Sequence, residues 1–210
     1  MAPIKSYKQF DFNNIKYSEP KINKMGGQTV FVNDMGKEKI RICTPKCTIP
    51  FGLSEYNGRY SIQMSLNTNT TEFIDFLQKF DNNNIENGSR NSTSWFKKQM
   101  SVDTLQQLYN HTPKQSNPKY PPMFKAKMQF KDGSFEGEIF DTNRRKLNIQ
   151  DIKPGSHVEA IVELTGIYFL AKDFGMSWKV IQLKVHPSEK ISGYAFADDS
   201  DDEDSDAEPV

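Results

Sequence analysis

A mainly β body with one inserted α-helix, followed by a disordered acidic tail, is the architecture this sequence predicts, and three observations predict it. Several segments alternate polar and apolar residues with the two-residue period of a strand, while a single segment carries an apolar stripe at helical spacing behind capping residues. Aromatic residues reach 12%, with 15 Phe and 8 Tyr, the large side chains that suit half-buried strands. The chain closes on "ADDSDDEDSDAEPV", which holds eight carboxylates and no base and cannot bury apolar surface.

In chain order, residues 1–24 are polar and lack periodicity, so they read as an N-terminal arm or an irregular edge. Strand patterning begins at "GGQTVFV". In "KEKIRIC", Ile40 and Ile42 take one face and Lys37, Lys39 and Arg41 the other, while Glu38 falls on the core side by strict alternation and so requires a bulge or an edge. "GRYSIQMSL" repeats the logic, with Tyr60, Ile62, Met64 and Leu66 inward and Arg59, Ser61, Gln63 and Ser65 outward. The helix is predicted at "NTTEFIDFLQKF", where Asn69 and Glu72 form an N-cap and its capping-box partner and Phe73, Phe76, Leu77 and Phe80 form a core stripe.

"DNNNIENGSRNSTS" reads as a polar loop, and "WFKKQMSVDTLQQLYN" as one or two short helical turns that the prolines of "SNPKYPP" stop. "MFKAKMQFKDGSFEGEIF" is a hairpin. It sets Phe124, Ala126, Met128 and Phe130 against Lys125, Lys127, Gln129 and Lys131 ahead of an Asp-Gly turn. "PGSHVEAIVELTGIYFLAKDFGMSWKVIQLKV" supplies two long strands joined near "AKDFG", with Val158, Ala160, Val162 and Leu164 along one side of the first. The whole string over residues 25–187 suits a small antiparallel barrel of the oligonucleotide-binding type. Other small barrels and sandwiches share it, because periodicity establishes strands and not closure. Residues 188–210 form the tail.

The formal net charge of zero conceals a polarised molecule. With the tail acids Asp198, Asp199, Asp201, Asp202, Glu203, Asp204, Asp206 and Glu208 set aside, 27 cations face 19 anions, a surplus of eight in the body. A basic body with an acidic arm can bind a polyanion and regulate that binding, since the arm can occupy the same surface; a merely solubilising tail has the same composition. Lys37, Lys39, Arg41, Arg59, Lys125 and Lys127 stand on non-core faces of separate strands, and Arg144, Arg145 and Lys146 in a connection. Cations repeated in this way suit a phosphate backbone, although a lysine-rich surface is the plain alternative. Aromatic residues interleave with charge at Trp95, Phe96, Lys97 and Lys98, at Tyr120, and at Trp178 and Lys179. Exposed rings stack on unpaired bases without selecting a sequence; the alternative places the two tryptophans in the core.

Catalytic signatures are missing: the chain has no P-loop, dinucleotide turn, H-E-x-x-H, G-x-S-x-G or Cys/His nucleophile pattern, so a binding protein without cofactors is expected. Cys43 and Cys47, with only three scattered histidines, read as reduced thiols and not as a zinc site. No apolar run reaches the length of a membrane span, and "MAPIKSYKQF" lacks the apolar core of a signal peptide, so neither a membrane partner nor secretion is expected.

The long C-terminal strand pair, the helix-bearing barrel pattern before it and the acids after it together resemble the single-stranded DNA-binding proteins of nucleocytoplasmic large DNA viruses. These are similar to the acidic-tailed single-stranded DNA-binding protein of podoviruses. The resemblance covers residues 25–210 and is strongest over 120–186. It implies a sequence-nonspecific protein that coats single-stranded DNA in viral replication, recombination or repair, in a cytoplasmic virus factory or the nucleus. It also implies a tail that competes with DNA and contacts replication proteins, and it raises a homodimer. The phage relative ends in an aromatic residue; this chain ends Pro209-Val210, with Tyr194 and Phe196 ahead of the acids. Binding of RNA stays open, because stacking tolerates both sugars. Ser200 and Ser205, in "SDDE" and "SDAE", sit in a context that acidophilic kinases accept. The rival expectation is a non-enzymatic virion or factory scaffold whose body never meets nucleic acid.

Overall fold

The computed structural model describes residues 4–23, 26–35 and 37–186. Strands β1 (Ile15–Tyr17), β2 (Lys21–Ile22), β3 (Gln28–Val30), β4 (Val32–Asp34), β5 (Glu38–Lys39), β6 (Arg41–Cys43), β7 (Cys47–Ile49), β8 (Leu53–Tyr56) and β9 (Arg59–Ser65) come first. Helices α1 (Thr71–Arg90), α2 (Ser92–Phe96) and α3 (Val102–Leu108) follow. The chain returns to β10 (Met123–Met128), β11 (Phe130–Lys131), β12 (Ser134–Phe135), β13 (Glu138–Asp141), β14 (Ser156–Phe169) and β15 (Phe174–His186).

Five strands close a circuit: β7 pairs with β9, β9 with β10, β10 with β15, β15 with β14, and β14 returns to β7. Within it β10 and β15 run parallel and the other pairings are antiparallel, which is the strand order of an oligonucleotide-binding barrel. The expected fold class is therefore the observed one. Closure depends on β14, which reaches both β15 and the β6–β7 run by bending at irregularities beside Ile161/Val162 and Leu164/Gly166. At the second of these only glycine fits. Gly166 has φ 128°, and a Cβ there would lie 2.6 Å from the Val30 carbonyl oxygen of the neighbouring β3. Inward alternation from every barrel strand fills the core, with Ile49, Ile62, Met64, Phe124, Ala126, Val158, Ala160, Val162 and Leu183 all buried.

Helix α1 packs Phe73, Phe76, Leu77 and Phe80 inward as the stripe requires, Phe80 meeting the Trp178 ring edge-on at 5.9 Å and Phe73 meeting Phe124 at 5.5 Å. Its boundaries differ from the expected ones. A 3-10 turn over Thr68–Thr70 precedes it, capped by Asn67, whose side chain accepts from the Asn69 amide. At the other end the helix continues to Arg90, through the stretch read as a polar loop. Asn and Gly have low helix propensity, but tertiary contacts override it here. The inward stripe simply turns polar: Asp81, Asn84 and Gly88 are buried with Ile85. Asn84 accepts from the Tyr17 hydroxyl and donates to that of Tyr109, both at 2.9 Å, while Gly88 lets Leu105 of α3 approach.

Residues 4–23, read as an arm or an irregular edge, lie on the body. Tyr7, Phe10 and Phe12 pack on Phe73, Phe76 and Phe80 of α1, Ile15 is buried, and Lys5 pairs with the buried Asp34. Polar spacing hid these contacts, because isolated aromatics in 3-10 turns leave no period. Glu38 is exposed in β5, which pairs with β4 in a separate small sheet, so the chain changes sheets before Arg41. The acidic residues, Ser200 and Ser205 lie outside the described residues.

Candidate nucleic-acid interface

Alternation along β9 and β10 sends Ile62, Met64, Phe124, Ala126 and Met128 into the barrel, which leaves Arg59, Lys125 and Lys127 on its outer face. The register then decides their neighbours. Lys127 stands opposite Ser61 of β9 on one side and Lys179 of β15 on the other, and Lys125 stands opposite Gln63. Among the described residues no carboxylate lies within salt-bridge distance of Arg59, Lys125 or Lys127. Burial pulls the Lys127 ammonium below the usual lysine range, and repulsion from Arg59 and Lys125 adds to that. Glu55 and Glu136 line the same surface, so its three cations leave a surplus of one positive charge on this face.

Two hairpins wall it. β8 folds back on β9 through Asn57 (φ 50°) and Gly58 (φ 71°), a tight turn whose Gly58 amide donates to the Glu55 carboxylate at 2.8 Å. The turn places Tyr56, 78% exposed, opposite Arg59. On the other side the Asp-Gly turn forms as expected, but the strand breaks at Gln129, and β11 and β12 form their own small hairpin. The break turns Phe130 out of the barrel line onto Tyr60, with ring centroids 4.2 Å apart, and beside Phe135. Between the hairpins lies an open groove of about 680 Å³, lined by Tyr56, Arg59, Tyr60, Lys125, Lys127 and Phe130 among others. A smaller hollow of about 190 Å³ shares Gln129 and Glu136 with it and carries the surface on to Lys179.

Beyond Lys179 the row meets a carboxylate. Glu163 of β14, 2% exposed, stands opposite both Lys179 and Arg41. Its Oε1 accepts from Lys39 Nζ at 2.9 Å and lies 3.4 Å from Lys179 Nζ; its Oε2 accepts from Arg41 Nε at 2.8 Å. Burial pushes this carboxyl up, yet the hydrogen bonds from Lys39 and Arg41 and the charge of Lys179 outweigh it and hold the group below the ordinary glutamate range. Three cations around one anion keep a surplus of two.

The residues singled out from sequence therefore divide. Arg59, Lys125, Lys127, Lys179, Arg41 and Lys39 converge on one lateral row. Trp95 and Trp178 are corrections: at 4% and 2% exposure they are core residues, packed on Tyr17 and Phe169 and on Phe80 and Phe124 respectively, and a ring enclosed on all sides cannot stack on a base. Phe96 is half-buried against Phe169 and Phe174. With Lys97 and Lys98 it sits at the β14–β15 hairpin, away from the groove. Tyr120 is exposed ahead of β10, at the strand end opposite Arg59. Arg144, Arg145 and Lys146 are exposed in the turn after β13, where Lys146 faces Glu138 at 3.3 Å, and Lys37 lies in the β4–β5 turn. Sequence reasoning missed Tyr56, Tyr60 and Phe130 as groove residues. The Asn57-Gly58 pair, a strong hairpin signal, could have revealed Tyr56.

An outward cationic row flanked by rings on the β9–β10 face of a five-stranded barrel is the geometry of a binding surface. The chain belongs to the family of unknown function DUF5871, whose match covers residues 59–198. It is similar to uncharacterized protein L291 of Acanthamoeba polyphaga mimivirus, 30% identical over an alignment of 162 positions that covers 70% of this chain. The chain spans about a quarter (26%) of the length of that relative. Among solved structures it is similar to the single-stranded DNA-binding protein of bacteriophage Enc34, with TM-score 0.43 and 14% identity over 89% of this chain and 94% of that one. It is likewise similar to gp2.5, a single-stranded DNA-binding protein encoded by bacteriophage T7, with TM-score 0.46 and 14% identity over 78% of this chain and 96% of that one.

Proposed function

We propose that this protein binds single-stranded DNA without sequence preference, and does so during viral DNA replication, recombination or repair. The observation that carries the reading is the groove itself: Arg59, Lys125 and Lys127, none of them in a salt bridge among the described residues, outnumber the lining carboxylates Glu55 and Glu136 and stand beside the exposed Tyr56 ring and the half-buried Tyr60 and Phe130 rings, on the second and third strands of the barrel, the face this fold uses for oligonucleotides. Unneutralised cations follow a phosphate backbone, and exposed rings take unpaired bases, which a duplex keeps hidden. The acidic residues 198–208 act as an internal competitor for the cationic face and as a contact for replication proteins. Ser200 and Ser205 are sites at which phosphate would deepen the tail's charge.

The test is a fluorescence-anisotropy titration with labelled oligo(dT), a matching duplex and oligo(rU), at two salt concentrations. Oligo(dT) is expected to bind much more tightly than the duplex, and oligo(rU) reports how far the sugar matters. Replacing Lys125 and Lys127 together by Ala weakens oligo(dT) binding about tenfold at low salt and lowers the salt slope by about 1.4, or about 0.7 per lost phosphate contact. Binding indifferent to both lysines, or no retention of oligo(dT) at all, overturns the reading in favour of a scaffold.

A further inference from the structure

We propose that Glu163 is a positioning residue of this interface, a buried anion that holds Lys39, Arg41 and Lys179 as one preorganised cationic cluster extending the groove around the barrel; the inference rests on the single-strand reading above. A carboxylate in the middle of a phosphate-binding row is at first sight counterproductive, since it cancels one positive charge. Its placement argues otherwise. Glu163 is buried between three cations from three different strands, and both of its oxygens are used. Lys179 is held a second time by Gln129 Oε1 at 3.0 Å. Without the anion, three like charges this close would repel and splay into solvent, and ordering them on a phosphate would then cost both repulsion and side-chain entropy. With it, the cluster is assembled before ligand arrives. Two units of positive charge remain, and the Lys39 side chain is still 58% exposed.

The cluster is continuous with the groove. Lys127 and Lys179 are register partners on adjacent strands, and Lys179 and Arg41 flank Glu163 on either side, two strand spacings or about 10 Å apart. A strand lying across β9 and β10 thus meets further phosphate donors as it leaves the groove. Arginine suits this place, because Arg41 meets the carboxylate through both Nε and Nη2, each 2.8 Å from Oε2, and its planar fork still keeps the N–H groups of Nη1 for a phosphate.

Charge counting and positioning make opposite predictions, which two variants separate. Glu163→Gln adds one positive charge to the patch. If charge alone mattered, oligo(dT) would bind more tightly with a steeper salt slope; positioning predicts about fivefold weaker binding. Arg41→Lys keeps the charge and is expected to weaken binding several-fold with the salt slope nearly unchanged, and it serves if Glu163→Gln does not fold. Thermal melts confirm that each variant is folded. The Arg41 Nε–H resonance is expected to be sharp in the parent protein and broadened in Glu163→Gln. Tighter or unchanged binding by folded Glu163→Gln, or unchanged binding by Arg41→Lys, overturns the inference while leaving the functional reading intact. Failure of the parent protein to bind oligo(dT) instead removes that reading and this inference with it.

Discussion

Tyr56 shows how much one side chain can decide. It projects from a two-residue hairpin turn, is largely exposed, and stands opposite Arg59 at the mouth of the groove. A ring exposed in that position contributes little to folding, and on the proposed reading it holds a base. Tyr56→Ala is therefore expected to weaken oligo(dT) binding by about 1–3 kcal/mol, roughly 5- to 150-fold, with almost no change in melting temperature. Anisotropy and a thermal melt on the same preparation check both halves. The tryptophans are the opposite case. Aromatic spacing beside lysines is the same for a stacking ring and a core ring, so "SWFKKQ" and "DFGMSWKV" could not be told apart from true stacking sites until packing placed their indoles inside.

Among the elements, α1 was the easiest to recognise and the hardest to delimit. Its phenylalanine stripe was legible at once, but its second half is held by side-chain bonds to distant residues and not by propensity. Asp81 there accepts from the Thr112 amide at 2.7 Å and faces His111 Nδ1 at 3.3 Å, which ties the helix to the segment after α3. The hydrogen bond to Asp81 raises the His111 pKa above 6.5, and burial raises that of Asp81. Both signs agree. The folded state holds these protons more tightly than the unfolded chain, so the contribution of His111 is complete below pH 6.5 and is lost as pH rises through its folded-state value. His111 is half-exposed, so its share is modest: the melting temperature is expected to fall by about 1–3 °C between pH 6 and pH 8 from this source. Melts of His111→Gln at the two pH values should lack that share of the drop.

For the molecule as a whole, the decisive quantity is the division of charge between a body with a surplus of eight cations and a tail with eight acids. On the proposed reading, a tail of that length and sign competes with DNA for the row from Arg59 to Lys39. Deleting residues 198–210 is expected to tighten oligo(dT) binding at low salt. The gain should shrink as the Debye length falls towards about 8 Å at physiological ionic strength. Equal affinity of the full and shortened chains at low salt would remove the competition.

The sequence by itself determined which residues face inward and which outward on β10 and on most of β9 and β14, because side-chain alternation is a local property of each strand, although Tyr60 lines the groove and β14 breaks its alternation at two irregularities. It also determined the charge polarity and the existence of α1. Only the tertiary structure decided that the barrel closes, that Lys127 neighbours Lys179, that a single buried glutamate gathers Lys39, Arg41 and Lys179, and that both indoles are enclosed. Those facts depend on register and on contacts between residues distant in the chain, Lys39 and Glu163 being 124 positions apart, where no local period carries information.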